Sequence, residues 1–200
     1  MPLTWLALGD SYTIGEGVPP EGRWPMQLAA MLRAEDKALA EPTILATTGW
    51  TTDELSAAMD GASFAPPYGL VSLLIGVNNQ YRGRRVDDYR IEFSHLLQRA
   101  VALAGGHAEH TLVLSIPDWG VTPFARDSGR DLARIAAELD AHNTIARDET
   151  LQQGARWVDI APISRQHPAL LADDGLHPSA SQYTLWAEAV LPAVRQMLEQ

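Results

Sequence analysis

Cysteine is absent from the 200 residues, which excludes disulfides and thiolate metal sites. Positive charge is scarce. Lys and Arg number 15 against 25 Asp and Glu, for a formal net charge of −10. Nucleic acid and anionic membrane surfaces select basic patches, so neither is expected as a partner. No apolar run approaches the roughly 18 residues of a membrane span. A secretory leader needs a basic start and a longer apolar region. Here the first basic residue is Arg23, and Asp10 and Ser11 interrupt the opening apolar stretch, so a cytoplasmic location is expected. There is no Walker loop. Gly15-Glu16-Gly17 lacks the third glycine of a dinucleotide fingerprint. No Gly-x-Ser-x-Gly elbow occurs, which argues against a standard α/β-hydrolase.

What remains is an ordinary globular composition, 46% hydrophobic and 20% charged, of a length that fits one domain over residues 1–200. Apolar runs alternate with amphipathic ones. Strands are expected at Leu3–Leu8, Thr43–Ala46, Leu70–Ile75, Thr111–Ile116 and Arg156–Ile160. Between them, Pro25–Arg33 begins with a proline favoured in a first helical turn. Thr51-Thr52-Asp53-Glu54 is a capping-box pattern ahead of Leu55 and Met59. Tyr89, Phe93, Leu96, Leu97 and Val101 recur at helical spacing before Gly105-Gly106. Ser128 and Asp131 can cap a helix carrying Leu132, Ile135, Leu139 and Ile145, which Gly154 ends. A last helix follows Ser179, and Pro192 should kink or break it. Five apolar strands separated by helices predict an α/β fold: a five-stranded, flavodoxin-like parallel sheet in a three-layer α/β/α sandwich.

Four short stretches could carry chemistry. Gly9-Asp10-Ser11 ends the first strand, at the sheet edge where ligands bind in open α/β folds. Ser11 there reads either as a capping serine or as a nucleophile. Thr47-Thr48-Gly49-Trp50 follows the second strand. Gly49 is a turn glycine or a backbone N–H open to a ligand. Gly76-Val77-Asn78-Asn79 follows the third. Its asparagines suit a turn, and an asparagine amide at this edge also suits an oxyanion. In Asp174-Gly175-Leu176-His177-Pro178, a carboxylate three residues before a histidine can fix its tautomer and stabilise its protonated form. His107 and His110 lack a carboxylate at metal spacing, and no metal site is expected. They and His142 read as surface residues, and His95 as a partly buried helix residue. Arg82, Arg84 and Arg85 read as a solvated loop.

The four stretches, in this order and from Gly9 to His177, resemble the SGNH hydrolase superfamily, also called GDSL esterases and lipases. The resemblance implies a serine esterase with the SGNH hydrolase fold and no metal or organic cofactor. It also implies roles. Ser11 is the nucleophile, with its own N–H in the oxyanion hole beside the N–H of Gly49 and the side chain of Asn78. His177 is the general base and Asp174 orients it. The family spacing Asp-x-x-His selects Asp174 over Asp173. Asp10 resembles the family's aspartate beside the serine, a support for the site. One departure is visible: the third block usually reads Gly-x-Asn-Asp, and Asn79 stands in place of the aspartate.

Asp10, Tyr12, Trp50, Val77, Asn79 and Trp119 lie next to strand ends and are candidates for contact with substrate. The polar run Asn78-Asn79-Gln80 suggests a small-molecule ester with a small or polar group. Short-chain acyl esters, acetylated carbohydrates and lysophospholipid-type lipids are the candidates. The contrasting expectation is a non-catalytic carbohydrate- or lipid-binding module using the same cleft.

Overall fold

The structure is a computed structural model and describes residues 2–199. In chain order its elements are β1 (Trp5–Gly9), α1 (Ser11–Ile14), α2 (Trp24–Ala34), β2 (Thr43–Ala46), α3 (Thr52–Gly61), β3 (Leu70–Leu74), α4 (Val77–Tyr81), α5 (Val86–Leu103), β4 (Thr111–Leu114), α6 (Pro123–Asp127), α7 (Leu132–Gln152), β5 (Arg156–Val158), α8 (Ala161–Gln166) and α9 (Ala180–Leu198). The strands form one parallel sheet in the order β2-β1-β3-β4-β5, the flavodoxin-like order expected from the sequence.

The residue pattern explains the layering. Every residue of β1, β3 and β4 is buried, as a strand covered on both faces requires. Successive side chains then serve opposite layers. Trp5, Ala7, Leu70, Leu74, Leu112 and Leu114 join the core built with α2 and α9, around Trp24, Leu28 and Trp186. Leu6, Leu8, Val71, Leu73 and Val113 join the second core, with Leu55 of α3 and Phe93 and Leu97 of α5. Each fully buried leucine is worth roughly 1.5–3 kcal/mol, so the three central strands anchor the sheet. The edge strands β2 and β5 are only partly buried.

The capping box at Thr51 and Glu54 forms as expected, and Asp131 caps α7. Ser128 instead closes α6, donating to the carbonyl of Ala125 at 2.6 Å. Some expected bounds shift for visible reasons. β4 stops at Leu114, short of Ile116. The backbone of Ile116 is claimed by the side-chain amide of Asn143, at 2.7 and 2.9 Å. Pro192 does not break α9, which runs unbroken from Ala180 to Leu198. The carbonyl its ring leaves unpaired belongs to Glu188, an exposed residue, so water can serve it. The buried face of Tyr183, Trp186, Val190 and Val194 holds the helix down.

The strand order also places the site. The chain leaves β1 toward β2 on one side and later reaches β3 on the other. Their carboxyl ends therefore diverge and open a crevice. A Cβ on Gly9, the last residue of β1, would overlap Thr13 Oγ1 and lie 2.6 Å from the Leu74 carbonyl. Only glycine lets β1 turn this tightly into α1.

Candidate active site

Ser11 is the first residue of α1, a single turn. The Asp10 carboxylate caps that turn, accepting from the Tyr12 N–H at 3.0 Å. Asp10 is fully buried and its second oxygen has no partner among the described residues. Burial pushes its carboxyl up to about 7, against the opposing pull of the Tyr12 N–H. Ser11 is 4% exposed. Its hydroxyl makes no hydrogen bond among the described residues, although its carbonyl accepts from Gly15 at 2.9 Å.

The histidine arm is more tightly specified. His177 lies in the loop between α8 and α9. Asp174 Oδ1 accepts from the backbone N–H groups of Leu176 and His177, both at 2.9 Å. Its Oδ2 lies 2.6 Å from His177 Nδ1. Burial pushes the Asp174 carboxyl up. The His177 ring and the two N–H groups together outweigh that and hold it below the usual carboxylate range. An ionised carboxylate can only accept, so Nδ1 carries the proton and Nε2 is the basic nitrogen. His177 is 9% exposed, and its ring meets that of Tyr12 edge-on at 5.9 Å. Asp173 is exposed and makes no side-chain hydrogen bond among the described residues.

Gly49 sits at φ +90° in a turn closed by the Trp50 N–H on the Thr47 carbonyl at 3.3 Å. Positive φ at the third turn position favours glycine. Asn78 is in the first turn of α4. Its side-chain amide donates to the Trp50 carbonyl at 2.8 Å. An amide nitrogen carries two protons, so one N–H remains for a ligand.

Ser11, Gly49, Asn78 and His177 line one pocket of about 220 Å³. Its walls are Tyr12, Val77, Tyr81, Trp119, Phe124 and Leu176, with Thr48 at the rim. The Thr48 hydroxyl hydrogen-bonds the carboxylate of Glu16, joining the loops after β1 and β2. Tyr12, Val77 and Trp119 were expected here. Tyr81 is three residues after Asn78 on α4, so recognising that turn would have found it. Leu176 lies within the Asp-Gly-Leu-His stretch itself. Phe124 comes from α6, and no motif marks it.

Three expected contacts are not in the pocket. Asp10 is beneath the serine turn, as described. Trp50 packs on the second core and meets the site through its carbonyl. Asn79 is fully buried: Oδ1 accepts from the Thr52 N–H at 3.1 Å, and Nδ2 donates to Thr52 Oγ1 at 2.6 Å and faces Glu92 at 3.4 Å. An aspartate there would set two carboxylates against each other, and the amide avoids this. Gln80 is likewise committed, donating to Glu138 at 2.8 Å and accepting from the Trp119 indole at 2.9 Å. Beyond Asn78 the polar run thus faces the scaffold, and the pocket is mostly apolar.

Other readings are corrected too. His142 is buried, its Nδ1 donating to the Glu138 carbonyl at 2.8 Å and its ring tilted against that of Tyr89 at 4.7 Å. Burial pulls its pKa down. His95 is exposed. Arg82, Arg84 and Arg85 do lie in the solvated loop after α4, but two of them are engaged: Arg84 pairs with Asp53, and Arg82 reaches Gly49 and Glu54. Among the described residues, no helix is long and apolar enough to cross a membrane.

A family model described as GDSL-like Lipase/Acylhydrolase matches residues 7–185. Several solved structures share the fold. One is the crystal structure of TesA, with TM-score 0.75 and 18% identity, covering 97% of this chain and 99% of that one. Another is Axe2, an acetylxylan esterase from Geobacillus stearothermophilus, with TM-score 0.75 and 19% identity over 96% and 94% of the two chains. A third is the psychrotrophic esterase EstA from Pseudoalteromonas sp., solved inhibited by monoethylphosphonate. Its TM-score is 0.71 and its identity 18%, over 98% and 99%. A sequence search of curated proteins finds no match.

Proposed function

Since the chain belongs to the GDSL-like lipase/acylhydrolase family, and is thereby an ester-hydrolysing serine hydrolase, we propose that Ser11 is its nucleophile, His177 the general base and Asp174 the acid that orients the base. The observation that carries this reading is the 2.6 Å contact between His177 Nδ1 and Asp174, beside a pocket that His177 shares with Ser11. It leaves Nε2 basic in the pocket that the Ser11 hydroxyl, claimed by no other group among the described residues, also lines.

Ser11 Oγ attacks the ester carbonyl as His177 Nε2 takes its proton. The carbonyl oxygen becomes an oxyanion, held by the N–H groups of Ser11 and Gly49 and the free amide N–H of Asn78. Collapse of the intermediate expels the alcohol, which receives the proton from His177. The acyl group stays on Ser11 as an ester. Water, deprotonated by His177, then attacks that ester, and the acid leaves with the enzyme restored. In free enzymes such serine–histidine contacts are often open and tighten with substrate.

The pocket selects among esters. Its 220 Å³ lies below the roughly 300–1,000 Å³ of sites for drug-sized ligands, and its walls are apolar and aromatic. This favours a short acyl chain over a polar group. The fold shared with an acetylxylan esterase agrees with a short acyl group. With a series of p-nitrophenyl esters, kcat/KM is expected to peak at an acyl chain of about two to six carbons and to decline beyond. A maximum at long chains would contradict the short-chain assignment.

A further inference from the structure

The two oxyanion donors outside the serine turn come from different strands, Gly49 after β2 and Asn78 after β3. Their separation must hold to within about 0.5 Å for both to meet one oxygen. The Gly49 turn is anchored by Thr48 to Glu16 on the β1 side, but that bond does not fix its distance from α4. Its closing hydrogen bond is long, at 3.3 Å, and glycine is the most permissive residue for backbone motion.

Resting on the esterase reading above, we propose that Arg82 is a positioning residue of the oxyanion hole, clamping the Gly49 turn to the helical turn that carries Asn78. Arg82 caps the C-terminus of α4, its N–H bonded to the Asn78 carbonyl at 3.0 Å. Four residues apart, Asn78 and Arg82 share one face of that turn. From that face they hold consecutive carbonyls of the opposite loop. Asn78 Nδ2 donates to Trp50 at 2.8 Å and Arg82 Nη2 to Gly49 at 2.7 Å. The second arm of the guanidinium, Nη1, donates to Glu54 Oε1 at 3.2 Å. The other oxygen of Glu54 accepts from the Thr51 N–H at 2.9 Å. Residues 49 and 50 are therefore tied directly to the α4 turn, and the start of α3 at residue 51 is joined to it through Glu54. The planar fork of arginine spans a carbonyl and a carboxylate together, which a lysine ammonium does not do in the same way.

Arg82 touches no reacting atom. Its side chain is 43% exposed, and an exposed pair of this kind contributes little to stability, so its removal should leave the fold intact. The test is steady-state kinetics of the full chain carrying Arg82→Ala, with Arg85→Ala as comparator. Arg85 is exposed and, among the described residues, pairs only with neighbouring Asp87. Arg82→Ala is expected to lower kcat roughly 10- to 10²-fold, with KM within about twofold and an unchanged thermal midpoint. That is less than the roughly 10²–10³-fold expected for Asn78→Ala, which removes a donor itself. Guanidinium ion at low millimolar concentration should restore part of kcat to Arg82→Ala and none to Asn78→Ala. Arg82→Lys should stay impaired.

Should Arg82→Ala fold poorly, Glu54→Gln provides the second reading. It loosens the anchor of the clamp, so it should lower kcat less than loss of the arginine, again at constant KM. Wild-type kcat in Arg82→Ala, a loss carried by KM, or a loss that guanidinium leaves untouched would each overturn the proposal. The failures are separable. If Ser11→Ala abolishes turnover while Arg82→Ala is silent, the esterase reading stands and only the clamp falls.

Discussion

Ser11→Ala is expected to lower ester turnover by on the order of 10⁶-fold, the scale seen when a serine hydrolase loses its nucleophile. The substitution is clean in this fold. The Ser11 hydroxyl makes no hydrogen bond among the described residues, so its loss leaves no buried group unpaired. Alanine is also at home in the first turn of a helix. The Asp10 cap on the Tyr12 N–H does not involve the serine side chain. The backbone N–H of residue 11 survives too, so all three proposed oxyanion donors remain. Thermal unfolding should be unchanged. What should persist is a small residual rate from the oxyanion hole and binding alone. Initial rates on a short acyl ester, with a thermal melt of the same sample, check both halves. Turnover within tenfold of wild type would remove Ser11 from the mechanism.

The second large effect is expected from Asp174→Asn, about 10⁴-fold in kcat, with Asp173→Asn close to wild type. An asparagine keeps an oxygen for the Leu176 and His177 N–H groups, so the loop should hold its shape. The atom facing His177 Nδ1 becomes an NH₂ group, however. The imidazole must then accept at Nδ1 and carry its proton on Nε2, where it cannot take one from serine. Asp173 is exposed and has no such contact. Kinetics of the two variants on the same ester decide between them. Greater damage from Asp173→Asn would reverse the assignment.

Much of this arrangement was legible in the chain. The central strands announce themselves because burial on both faces demands continuous apolar runs. The turn residues after them follow from the abrupt change to glycine, asparagine and aspartate. The spacing of Asp174 and His177 predicts their contact because both lie in one short loop. Three kinds of information were not legible. Strand ends depend on distant side chains, as Asn143 shows by capturing the backbone of Ile116. The facing of polar residues depends on what packs behind them. Asn79 and Gln80 look like a polar pocket edge, yet Thr52, Glu92, Glu138 and Trp119 take up their amides. One-turn helices such as α4 and α6 are too short to show a period. With them, Tyr81, Phe124 and the reach of Arg82 to Gly49 stayed hidden.

The account centres on Ser11 as an activated nucleophile, and a fluorophosphonate probe tests that most directly, because it reacts with the hydroxyl only where a base and an oxyanion hole serve it. Peptide mass spectrometry should place one adduct on Ser11, with ester hydrolysis lost in proportion to labelling and no adduct in Ser11→Ala. An adduct elsewhere with Ser11 unmodified, or undiminished hydrolysis by fully labelled protein, would contradict it. Absence of labelling altogether would instead mark the cleft as one that binds without turnover.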